Sequence, residues 1–76
     1  MKRFIIRYYY QDSNLPDIIN CYPHQSTWLN NITKDEAIVK ASAEYVSKLN
    51  EANFYGVELM QVLKTQHKQI TKFIKN

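Results

Sequence analysis

At 76 residues the chain is one small domain, spanning 1–76, and it has little room for a deep internal pocket, so a binding surface is favoured over an active site. Apolar content of 45% with 13% aromatics excludes a disordered chain, and the single cysteine, Cys21, excludes an intramolecular disulfide framework and points to a reducing, cytoplasmic setting. The net charge of +3 is unevenly laid out: residues 1–10 carry Lys2, Arg3 and Arg7, residues 61–76 carry Lys64, Lys68, Lys72 and Lys75, and all 7 acids fall between them.

The chain opens with Phe4-Ile5-Ile6-Arg7-Tyr8-Tyr9-Tyr10, a β-branched and aromatic run that predicts a strand. Alternation puts Phe4, Ile6, Tyr8 and Tyr10 on one face and Ile5, Arg7 and Tyr9 on the other. Arg7 interrupts the apolar run after Lys2-Arg3, so it does not read as a signal peptide, and no stretch approaches the roughly 20 apolar residues of a membrane span. Gln11-Asp12-Ser13-Asn14-Leu15-Pro16-Asp17 is turn chemistry. Ile18-Ile19-Asn20-Cys21-Tyr22 then predicts a second, antiparallel strand that ends or becomes an edge at Pro23. From His24 to Ile32 the sequence reads as a polar connection in which Trp28 and Leu29 fold back onto the core. The functional alternative makes Trp28 an exposed aromatic anchor for a partner.

Thr33-Lys34-Asp35-Glu36 has the spacing of a capping box and predicts a helix from there to about Ala52. Ala37, Ile38, Ala41, Tyr45, Leu49 and Ala52 gather into one apolar stripe, while Glu36–Lys40 and Glu44–Lys48 are spaced to pair on the wet flank. Asn53-Phe54-Tyr55-Gly56 reads as the stop, with Gly56 taking a left-handed conformation. Beyond it, Val57 to about Lys64 predicts a third strand, and Gln69 to Ile74 a fourth strand or a short helix; two C-terminal helices also fit the spacing. The expected fold is α+β, a small antiparallel sheet packed on one amphipathic helix in the order ββαβ, with an extra C-terminal strand or short helix as an addition.

Catalytic patterns are weak. Cys21 and His24 are three apart, but Pro23 intervenes and no third group orients the base. Cys21, His24 and His67 lack the paired spacings of a zinc site, Asp12 and Asp17 are ordinary turn residues, and there is no glycine-rich phosphate loop or nucleophile elbow. The expectation is a protein with no enzymatic activity, metal or cofactor. Binding is the better reading: Arg7 and Tyr9 on the outer sheet face, Trp28, and the lysines Lys64, Lys68 and Lys72 supply interleaved aromatic and basic groups. Such a face suits an acidic protein surface, and also nucleic acid or a second copy of the chain, with no membrane partner.

The short basic opening Met1-Lys2-Arg3-Phe4-Ile5-Ile6-Arg7, the turn after it, the helix opened by Thr33-Lys34-Asp35-Glu36-Ala37 and the closing strand are together similar to the small accessory proteins of bacteriophages and mobile elements, of which anti-CRISPR proteins are the best-known class. That resemblance implies a non-enzymatic inhibitor that binds a host defence protein or a ribonucleoprotein machine such as a CRISPR-Cas effector. Many such inhibitors are acidic and imitate DNA. This chain is basic, which implies occupying a protein surface or holding a nucleic-acid-bearing complex. The alternative is a small basic nucleic-acid-binding protein or regulator.

Overall fold

The computed structural model describes the backbone of residues 2–11 and 21–75 and, within these, every side chain except those at 21–24. Four strands and one helix follow in the order β1 (Lys2–Gln11), β2 (Cys21–Ile32), α1 (Lys34–Ser47), β3 (Phe54–Val62) and β4 (His67–Ile74). The strands form one antiparallel sheet in the order β2-β1-β3-β4. The order is therefore ββαββ and not the ββαβ expected from sequence. The last eight residues of regular structure pair with β3 from Gly56↔Ile74 to Val62↔His67. This overturns both the short C-terminal helix and the pair of C-terminal helices. Helix-forming residues in this stretch yield to a neighbouring strand that satisfies their backbone groups.

Alternation along β1 sets the core. Phe4, Ile6 and Tyr8 are buried against Val57 and Leu59 of β3 and against Ala37 and Ala41 of α1, with Phe54 and Ile32 closing the ends. The two alanines, wholly buried, let the helix approach the sheet closely. Tyr45 stacks on Phe73 at 5.8 Å and donates its hydroxyl to the carbonyl of Ile74 at 3.1 Å, which ties the helix to β4.

The capping box forms: Thr33 Oγ1 accepts from the Glu36 N–H at 3.1 Å and donates to Glu36 Oε1 at 3.0 Å. At the other end the helix stops at Ser47, short of the expected Ala52, with Lys48 and Leu49 bonded back by only three residues, to Tyr45 and Val46. The left-handed turn into β3 is made by Asn53, φ 65°, and not by Gly56, which lies inside the strand. Neither expected flank pair forms as drawn. Glu44 instead accepts from the hydroxyl of Tyr8 at 2.8 Å, and Lys48 pairs with Glu51 at 3.4 Å.

The largest departure is β2. Its expected span was Ile18–Tyr22, but the strand runs through Pro23 to Ile32, so the segment read as a polar connection is an edge strand. Pro23 stands beside a register shift between Tyr8 and Tyr9, and Asn31, φ 55°, occupies the extra position between Lys2↔Ile32 and Arg3↔Asn30. The turn predicted over residues 12–17 and the strand residues 18–20 lie outside the described residues. The two basic segments are also not side by side, because β3 separates β1 from β4.

Candidate interaction face

The helix covers one side of the sheet. The other side is built from alternate residues of each strand: Arg3, Ile5, Arg7 and Tyr9 of β1, with Trp28 opposite Ile5 on β2, Met60 and Glu58 opposite Ile5 and Arg7 on β3, and Lys72 opposite Glu58 on β4. Ile5 is only 4% exposed although it points away from the helix. Trp28 and Met60 flank it across the neighbouring strands. Trp28 itself remains 48% exposed, so the expected folding of its ring into the core is overturned.

The Trp28 ring is held on two sides. The Arg3 guanidinium lies 5.0 Å from the ring centroid and donates through Nε to Asn30 Oδ1 at 3.0 Å. The imidazole of His67 meets the indole edge-on at 6.5 Å, and Arg7 donates to His67 Nδ1 at 3.4 Å. A chain of contacts, Arg3–Trp28–His67–Arg7, thus crosses the sheet from β1 to both edge strands.

Glu58 is the one carboxylate that the described residues place on this face, and it is 8% exposed. It accepts from the hydroxyl of Tyr9 at 2.7 Å. Burial, and then that carboxylate, raise the Tyr9 phenol above its ordinary pKa against the opposing pull of Arg7. Among the described residues no carboxylate lies within ion-pair distance of Arg3, Arg7 or Lys72.

The residues singled out from sequence are only partly gathered. Arg7, Tyr9, Trp28 and Lys72 share the open face. Lys64 sits in the turn between β3 and β4, and Lys68 pairs with Gln61, on the helix side of the sheet. Arg3 and His67 were missed as binding residues. Arg3 was within reach of sequence reasoning, because it has the same parity as Arg7 and Tyr9. His67 was not, because its place depends on β4 pairing with β3.

Chemically, this face offers hydrogen-bond donors, cations and one indole. The side chains of Cys21 and His24 lie outside the described ones. Among the described residues no group of His, Cys, Asp and Glu is clustered to hold a metal ion, and no helix is long and apolar enough to cross a membrane. Comparison with family models, with curated proteins and with solved structures finds no match to this chain.

Proposed function

We propose that this chain is a non-enzymatic interaction protein that docks a protein partner on the open face of its sheet. Trp28 is the anchor, and Arg3, Arg7 and Lys72 frame it for an acidic or carbonyl-rich surface. The observation that carries this reading is the half-exposed indole clamped by Arg3, beside guanidinium groups that have no carboxylate within ion-pair distance among the described residues. Aromatic and arginine side chains held in this way match the composition of binding hot spots. The single cysteine supports a cytoplasmic setting. On its resemblance to anti-CRISPR proteins, the partner is a host defence protein or ribonucleoprotein complex, which the chain would inhibit by occupying a surface.

Nucleic acid is the second reading, favoured by the aromatic and basic groups interleaved on an open sheet. Two features weigh against it. The Glu58 carboxylate lies at the middle of the face, and the ring of Tyr9 is tied to it through the hydroxyl rather than left free for stacking.

Affinity capture from a bacterial lysate, with and without nuclease, tests the choice when the wild type is run beside Trp28→Ala and Arg3→Glu. One complex retained after nuclease by the wild type and lost by both variants supports the protein reading. Loss of all bound material after nuclease, together with steep weakening of binding to a nucleic acid as salt rises, overturns it.

A further inference from the structure

We infer that β2 is a self-pairing edge, and that a second copy of this chain adds to it across a two-fold axis to make one continuous eight-stranded antiparallel sheet. The inference rests on the rim of the sheet and not on the docking face being used, although Trp28 belongs to both.

The two edges of the sheet differ in kind. β4 carries Lys68 and Lys72, the sort of side chain that keeps an edge from pairing with another strand. The twelve residues of β2 include no Lys, Arg, Asp or Glu. Between its two register shifts, Gln25–Asn30 pairs regularly with β1, which leaves about 20 Å of straight strand. Its outward backbone groups face away from the sheet, and no described element lies beyond it.

The helix leaves this same edge uncovered. A helix is about 10 Å across, whereas the outer strands of a four-stranded sheet are about 14 Å apart, so a strip remains bare. Here the bare strip is a groove of about 340 Å³ between α1 and β2, lined by Ile6, Thr27, Leu29, Lys40, Ala43 and Glu44. A second sheet continuing from β2 would set its own Leu29 across the axis from this one and close the apolar part of the groove.

The symmetry of the edge points to a second copy as the occupant. A two-fold axis brings identical strands together antiparallel, matching every other pairing in the sheet. With the axis at Thr27 or Trp28, the central residues, each side chain stays on its own face. At Trp28 this sets Ser26 against Asn30 and Thr27 against Leu29, and at Thr27 it sets Gln25 against Leu29 and Ser26 against Trp28, so no like charges are opposed although the chain is net +3.

Sedimentation equilibrium over a micromolar to millimolar dilution series tests this. The wild type is expected to shift from monomer to dimer, and Gln25→Lys/Ser26→Lys to dimerise roughly tenfold or more weakly. Lys68→Gln/Lys72→Gln at the other edge should dimerise like the wild type. Should the lysine pair disturb folding, hydrogen exchange of the wild type decides, with concentration-dependent protection expected at amides within 25–30. A wild type that stays monomeric throughout, a lysine variant that dimerises as well as wild type, or protection falling elsewhere would each overturn the inference. So would a strand of another protein pairing with β2 while the free chain stays monomeric.

Discussion

The hydroxyl of Tyr8 is 2.8 Å from Glu44 Oε1 and 2.7 Å from Thr27 Oγ1, so a single phenol links the central strand to both the helix and the edge strand. The residue is 1% exposed, and the ammonium of Lys48 lies 5.1 Å from its ring centroid. The contact explains why Glu44 is turned from water toward the sheet. A buried hydroxyl needs a partner, and a charged acceptor binds it more strongly than a neutral one. Tyr8→Phe is therefore expected to cost about 1–2 kcal/mol in urea unfolding. A double-mutant cycle with Glu44→Gln should give a coupling of about 1 kcal/mol. Coupling near zero would mean that the helix is held by its apolar stripe of Ala37, Ile38, Ala41 and Tyr45 without help from Glu44.

The carbonyl of Phe73 passes so close to Gly56 that a Cβ there would lie 2.3 Å from that oxygen and 3.1 Å from Ile74 Cδ1. The glycine is required by the approach of β4 and not by backbone handedness, since its φ is not positive. Gly56→Ala should destabilise the fold by about 1–3 kcal/mol, because backbone rather than a flexible side chain must move. Asn53→Gly, at the left-handed position, should be neutral or slightly stabilising. Denaturant midpoints of the two variants check both signs, and an undisturbed Gly56→Ala would refute the close packing of β3 on β4.

These two sites show where sequence reasoning succeeds and where it stops. The alternation of β1 and the Thr33–Glu36 box are local patterns, and both describe what forms. Gly56 was misread because its role comes from a carbonyl seventeen residues away, and Asn53 takes the turn assigned to it. β2 was misread because an edge strand covered on little of either face needs no regular apolar alternation. Gln25–Asn30 holds only Trp28 and Leu29, one on each face, and it is strand because β1 offers it a ladder. The open face followed the same division. Arg7 and Tyr9 could be placed from β1 alone, whereas bringing Trp28 and His67 together required both edge strands to be known.

Three successive tyrosines on β1 make the fold sensitive to alkali. Hydrogen bonding to Glu51, followed by burial, pushes Tyr10 up to about 12, while burial is the main cause of the raised values of Tyr8 and Tyr9, each from an ordinary 10.0. A raised phenol keeps its proton in the folded state after the unfolded chain has lost its own, so the folded state binds more protons in that interval. The stabilisation is thus fully present below about pH 10 and is lost as pH rises through the folded values toward about 12. Denaturant midpoints should fall above pH 10, with phenolate absorbance separating tyrosine from lysine ionisation. Tyr8→Phe should titrate with one fewer late phenol and lose less stability over the same interval. If Tyr8, Tyr9 and Tyr10 ionised together near 10, the bonds to Glu44, Glu58 and Glu51 would not persist in solution.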